Sequence, residues 1–215
     1  MDNFGIMQEE VARNLLEIKA IKLSPNDPFT WASGIQSPIY CDNRIALSHP
    51  KVRSFIKEQL AEKSKYFPNF DVVAGVATAG IAHGALLADR LEKPFVYVRS
   101  SAKGHGRRNL IEGELKAGQK VLVVEDLIST GGSCLAAAEA LLEARAEVVG
   151  VLAIFQYGFE KASFSFESKN LDFQTLTNYD TLILEAEKMG YVTESDLHTL
   201  RKWRENPDAW GALYA

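Results

Sequence analysis

Cysteine is nearly missing from this chain: Cys41 and Cys134 are the only two in 215 residues. They lack the paired spacing of a zinc site, and a bridge between them is not expected in a chain without an export signal. Both read as small reduced packing residues. Long apolar runs are absent as well. No stretch approaches the length needed to cross a bilayer, and the polar start Met1-Asp2-Asn3 does not open like a secretory leader. The expected compartment is the cytoplasm, with no membrane partner. There is no excess of positive charge. Lys plus Arg number 24 against 28 Asp plus Glu, a net charge of −4, so no general basic field exists to gather nucleic acid. Internal repeats, low-complexity tracts and linkers are missing too, which leaves a single domain over 1–215. Neither a Walker A Gly-Lys-Ser/Thr nor a Gly-x-Gly-x-x-Gly fingerprint is present.

What is present is a core-forming apolar content of 47% arranged in alternating periods. Helical spacing of Val11, Leu15, Leu16 and Ile18 is broken by Pro25 and Pro28. Two short extended segments follow around a turn at 34–38. After Pro50 a helix turns Val52, Phe55, Ile56 and Leu60 inward and stops near Pro68. A regular pattern then sets in: strand 71–76, helix 82–91, strand 95–99, strand 121–124, helix 134–145, strand 148–155, strand 171–176. Such alternation implies crossover units and a parallel sheet with helices on both faces, an α/β fold whose ligands sit at the carboxyl ends of the strands. Helices over 179–188 and 193–204 close the chain. Thr193 with Asp196 resembles a capping box, and Trp203 and Trp210 are placed to pack this tail on the body. Residues 1–45 read as a small hood on a core of 46–215, not as a second domain.

The richest segment is 121–133. Four apolar residues, Val121 to Val124, form a buried strand. Glu125 and Asp126 follow, then Leu127, Ile128 and the small-residue turn Ser129-Thr130-Gly131-Gly132-Ser133, then an alanine-rich helix. Amides at a helix start bind anions, and glycine lets a phosphate approach them closely. Adjacent acids suit sugar hydroxyls or a magnesium ion. An ordinary strand–turn–helix would explain the apolar run and the glycines. It explains two neighbouring carboxylates less well, because crowding them together is unfavourable without a ligand.

A second constellation lies at Arg99, Lys103, His105, Arg107 and Arg108, with Gly104 and Gly106 beside the histidine. Most charge runs are solvated surface loops. Here Arg99 ends a strand at the sheet edge where the ligand is expected, the cations suit an anionic leaving group, and the glycines permit closure like a lid.

The 121–133 segment resembles the phosphoribosyl-diphosphate (PRPP) signature of type I phosphoribosyltransferases. Lys103-Gly104-His105-Gly106, the return Ile111-Glu112-Gly113, the hood run Phe29-Thr30 to Ser33-Gly34 with Ser37-Pro38, Tyr40 and Asp42, and Gly75 to Gly80 are similar to the orotate phosphoribosyltransferases, Gram-positive type, in the right order over nearly the whole chain. That resemblance implies a type I phosphoribosyltransferase core with an N-terminal hood. It implies transfer of a phosphoribosyl group from PRPP to orotate, with Mg2+ held mainly by PRPP and no protein metal ligand assigned. It implies a homodimer whose loop 100–112 reaches the other subunit's site. By position, Arg99, Lys103 and His105 would serve catalysis and bind the pyrophosphate portion. Glu125 to Ser133 (Glu125, Asp126, Leu127, Ile128, Ser129, Thr130, Gly131, Gly132 and Ser133) would hold the ribose 5-phosphate, and Ser129 would also touch orotate. The family's usual lysines are replaced by Ala32, Ala79 and Ser100, and a common arginine aligns near Tyr157. Arg44 is the candidate partner for the orotate carboxylate. The alternatives are a purine phosphoribosyltransferase, a PRPP-responsive regulator, and a partner chain of a decarboxylase. The Lys103 loop and the hood signature favour orotate over these.

Overall fold

The computed structural model describes residues 3–31, 34–101 and 110–211. Helix α1 (Asn3–Glu17) buries Val11, Ala12, Leu15 and Leu16 on one stripe, as its period requires. Four short strands follow: β1 (Ile21–Leu23), β2 (Phe29–Thr30), β3 (Gln36–Ser37) and β4 (Ile39–Cys41). β1 pairs antiparallel with β4, and β2 with β3, giving two small two-stranded sheets. A 3-10 turn over Asn43–Ser48 leads to α2 (Pro50–Ser64), with Pro50 at the position where its missing N–H does no harm.

The core then runs β5 (Val72–Val76), α3 (Ala79–Arg90), β6 (Phe95–Val98), β7 (Ile111–Glu112), β8 (Lys120–Ile128), α4 (Gly132–Glu143), β9 (Glu147–Gln156), α5 (Glu160–Ser168), β10 (Phe173–Asn178), α6 (Tyr179–Lys188), α7 (Glu194–Glu205) and α8 (Pro207–Gly211). Six strands lie in the order β10-β9-β8-β5-β6-β7, all neighbours parallel except the antiparallel β6–β7 edge pair. The expected helix-flanked parallel sheet is therefore the architecture observed.

Alternation along each strand divides the core into two layers. Val73, Leu122, Val124, Leu152 and Ile154 face α1, α2, α3 and α6. Val72, Ala74, Val121, Val123, Val151 and Ala153 face α4 and α5. Burial on both sides is why these strands are almost uniformly apolar. α1 and β4 share the first of these layers, so the hood region is bonded into the same core as the sheet. The tail is anchored by Trp203, which is fully buried, and Trp210, and α7 starts with the capping box at Thr193 and Asp196.

Some boundaries differ from the pattern-based expectation. β8 runs on to Ile128, because β9 extends far enough to pair with it: Glu125 stands opposite Ala153, and Ile128 opposite Gln156. The two acids thus lie inside the last turns of a strand, where acidic residues are otherwise uncommon. α3 begins at Ala79, and α2 ends at Ser64, where the N–H groups of Lys65, Tyr66 and Phe67 bond back to Glu62, Lys63 and Ser64. α5 was not expected. Its sequence is mostly polar, and Ala162 and Phe166 alone are buried, one helical turn apart.

Candidate functional site

The phosphate-type end of the site is built where β8 gives way to α4. Gly131 takes φ +82°, and a Cβ there would lie 2.7 Å from a ring carbon of Phe166. An L side chain is excluded on both counts. As cap of α4, Gly131 offers no side-chain acceptor to the first-turn amides, and Ser133 Oγ turns instead to Glu125 Oε2 at 3.0 Å. The start of a twelve-residue helix therefore presents its amides and the positive end of its dipole to a cavity of about 300 Å3. Ala77 to Ala79, at the end of β5, close the opposite wall. α3 can approach this closely only because residue 80 is glycine: a Cβ on Gly80 would lie 2.5 Å from the Val124 carbonyl and 3.1 Å from Glu125 Oε1.

Glu125 and Asp126 line the same cavity. Glu125 is 5% exposed, and the Asp126 backbone N–H donates to its Oε1 at 3.1 Å. Burial, then the charge of Asp126, push the Glu125 carboxyl well above the usual carboxylate range. Burial also raises Asp126, against the lowering effects of its hydrogen bond with Glu125 and of the Arg44 charge. Two carboxyls raised in this way favour a partner that brings positive charge or hydrogen-bond donors, such as a cation or a sugar diol.

Asn43, a residue not singled out by the sequence, ties the hood to this pair by donating from Nδ2 to the Asp126 carbonyl at 2.8 Å. Its buried Oδ1 and the buried Nε2 of His83 have no hydrogen-bond partner among the described residues. Burial holds the His83 imidazole down to about 4, so it is neutral. The only signal for Asn43 was its place in the Asp42-Asn43-Arg44 run.

A second cavity, of about 320 Å3, adjoins the first through Leu127 and Ser129. Its walls are Thr30, Trp31, Tyr40, Cys41 and Tyr157. Trp31 is set by an indole N–H bond to the Ile39 carbonyl at 3.1 Å, and Tyr157 stacks on Phe159 with ring centroids 5.3 Å apart. Flat aromatic walls beside a polar sugar–phosphate pocket suit a planar heterocycle.

The residues proposed from sequence are thus only partly gathered. Glu125, Asp126, Leu127, Ser129, Thr130, Gly131, Gly132 and Ser133 line one cavity. Ile128 is buried in the core beneath it. Arg99 stands just after β6, two strands from β8 in the sheet, with its Nη1 3.4 Å from Glu112 Oε1. Arg44 lines neither cavity. Its guanidinium is taken up by both oxygens of Asp42, at 2.7 and 2.9 Å. Lys103 and His105 lie outside the described residues, as does most of loop 100–112.

Comparison with known proteins agrees with this geometry. A phosphoribosyl transferase domain model matches residues 45–185. An orotate phosphoribosyltransferase of Listeria innocua is 59% identical over 95% of this chain and 99% of its own length. One from Bacillus caldolyticus is 55% identical over 96% and 100%. The crystal structure of an orotate phosphoribosyltransferase from Aeropyrum pernix superposes with a TM-score of 0.74 at 30% identity, covering 85% of this chain and 99% of that one.

Proposed function

Because the chain belongs to the phosphoribosyl transferase domain family and, within it, to the orotate phosphoribosyltransferases, we propose that it makes orotidine 5′-monophosphate and pyrophosphate from orotate and PRPP, a step of pyrimidine biosynthesis, with the two adjoining cavities as its sugar–phosphate and base sites. The observation that carries the assignment of subsites is their shared wall. Leu127 and Ser129 border both cavities, so a base held by the aromatic residues meets the sugar held by the acids. In this reading the α4 amides hold the 5-phosphate, a group remote from the chemistry whose binding positions C1. Glu125 and Asp126, as carboxylates, accept from the ribose hydroxyls.

In the reaction the bond from C1 to the pyrophosphate oxygen breaks, and a bond from C1 to the ring nitrogen of orotate forms. Positive charge grows on the sugar ring and negative charge on the departing oxygen. Arg99, Lys103 and His105 are assigned to that departing group as donors to its growing negative charge. Orotate's ring nitrogen is readily made anionic, so no strong base is required.

Magnesium is part of the proposal, and its fit rests on the donors present. Among the described residues no cluster of three or more His, Cys, Asp or Glu could hold a metal alone. The pair of buried Glu125 and half-buried Asp126 suits an ion that keeps its water and substrate oxygens and takes at most two protein carboxylates. Bound together with PRPP, magnesium supplies neutralising charge for the pyrophosphate. The homodimer, with loop 100–112 closing over the partner's site to exclude water, belongs to the same proposal. So does a cytoplasmic setting, which fits phosphorylated substrates. No helix among the described residues is long and apolar enough to cross a membrane.

The test is loss of orotate absorbance on mixing protein, PRPP and magnesium, with adenine, hypoxanthine and uracil followed in parallel by product chromatography. Turnover of orotate alone is expected. Binding of PRPP without turnover of any base would replace the enzyme by a PRPP sensor.

A further inference from the structure

We infer that Arg204, near the end of α7, is the cation that receives the carboxylate of the pyrimidine substrate; this rests on the orotate reading above. A substrate that is a planar ring bearing a carboxylate needs one fixed positive group at the edge of its aromatic slot, because an anion entering an apolar cavity unpaired is strongly disfavoured. Arg204 is placed for that role. It lines a third cavity, of about 560 Å3, that joins the base cavity through Trp31 and Ser129. Its Nε is buried and has no hydrogen-bond partner among the described residues. Its Nη1 lies 3.4 Å from Asp180 Oδ2, a long single contact to a carboxylate that is itself 56% exposed. Arg44 differs on each point: it is held by both Asp42 oxygens, its side chain is 58% exposed, and it borders neither cavity.

The guanidinium is also firmly located. Gly158 follows Tyr157 directly, and a Cβ at Gly158 would lie 3.4 Å from Arg204 Nη1, so the cation sits beside the strand end that carries the base-cavity tyrosine. Its neighbour Trp203 packs edge-on against Trp31 and Tyr157, at 5.7 and 5.6 Å between centroids. The helix that bears the cation is thereby fixed to the wall that would hold the ring. A cation near a helix C-terminus also serves the helix dipole, as the exposed Lys202 can without entering any cavity. Lys161 borders the cavity too, but it is exposed, as are the acids Glu160, Glu205 and Asp208 around it. Those acids oppose an anion in this cavity, so direct pairing with Arg204 is what would hold one there.

The experiment uses the full-length protein and begins with wild type on orotate. Failure of wild type to convert orotate overturns the functional reading itself, and this inference with it. Given turnover, KM is measured for orotate and for PRPP in Arg204→Ala, Arg204→Lys and Asp180→Ala, with uracil, which lacks the carboxylate, as a competing ligand. Arg204→Ala is expected to raise KM for orotate roughly 30- to 100-fold, the range of a lost charge-assisted hydrogen bond. KM for PRPP should move little, and the preference for orotate over uracil should fall by a similar factor. Arg204→Lys should recover part of the loss, because it keeps the charge without the planar fork. Arg204→Gln, which retains much of the stem, replaces the alanine variant if that protein does not melt cooperatively. An unchanged orotate KM overturns the inference. So does an equal loss for PRPP, or the same loss in Asp180→Ala, either of which would make Arg204 a structural ion-pair partner.

Discussion

The two cavities on either side of Ser129 were assembled in opposite ways. The acidic, amide-lined half comes mostly from one continuous stretch, 125–133, facing three residues at the end of β5. The aromatic half draws on the hood at Thr30, Trp31, Tyr40 and Cys41, on the end of β9 at Tyr157, and only at its floor on Leu127 and Ser129. A phosphate asks for amides at a helix start, which neighbouring residues supply by local geometry alone. A flat ring asks for walls on two faces, and those come together only by tertiary packing. The first half should therefore fail by losing PRPP, and the second by losing base affinity together with fold stability.

The largest effect is expected outside both halves, at the leaving group. Lys103→Ala should lower turnover by about 10²-fold or more, the scale of a single charge-stabilising donor. Unchanged kcat would remove Lys103 from the mechanism. Next comes Asp126→Asn, which should weaken PRPP binding by roughly tenfold or more, and weaken orotate binding much less. Equal losses in calorimetric titrations would erase the functional distinction between the two cavities. Trp31→Ala should raise the orotate KM roughly tenfold and lower stability by about 2 kcal/mol, since it removes an aromatic partner of Tyr157 and Trp203. PRPP affinity retained in that variant would sharpen the comparison. PRPP affinity lost in step with orotate would break it.

The smallest effect concerns Glu125 in the unliganded protein. Burial and Asp126 raise its carboxyl above the value it has in the unfolded chain. The folded state therefore binds the proton more tightly than the unfolded one. The stabilising contribution is complete below the unfolded value and is lost as pH climbs through the folded one. Glu125→Gln cannot ionise, so it should match wild type in acid and exceed its Tm by a few degrees at alkaline pH, while binding PRPP less well. Melting curves across pH check this. A Tm difference that shrinks as pH rises would contradict the raised carboxyl of Glu125.

How much of this was legible in the residues follows the same division. The order of strands and helices could be read because apolar periodicity is local, and the burial of Val72 to Val76 and Val121 to Val124 agrees with it. The phosphate turn was legible because its glycines and acids are contiguous. The end of β8 was not, since the length of the strand depends on how far β9 accompanies it. α5 escaped notice because two buried residues on an otherwise polar stretch leave almost no period to detect. Asn43 and Arg204 were out of reach for a stronger reason. Nothing in the neighbourhood of either names the partner, 83 residues away for Asn43, or the cavity, closed by the hood and the end of β9 for Arg204.

By itself, then, the amino-acid sequence determined what depends on residues near one another along the chain: the alternating elements, the capping box of α7, the left-handed turn at Gly131 and the pairing of two acids with a helix start. Tertiary structure decided everything that depends on residues brought together from afar. It buried Glu125 and half-buried Asp126 beside it and so raised their proton affinity, locked Arg44 onto Asp42 outside the cavities, and set Arg204 with an Nε that has no hydrogen-bond partner among the described residues beside an aromatic wall. The physical reason is that backbone propensity and side-chain period act within a few turns of chain, whereas desolvation, charge pairing and cavity shape are properties of surfaces that exist only after the distant segments have packed.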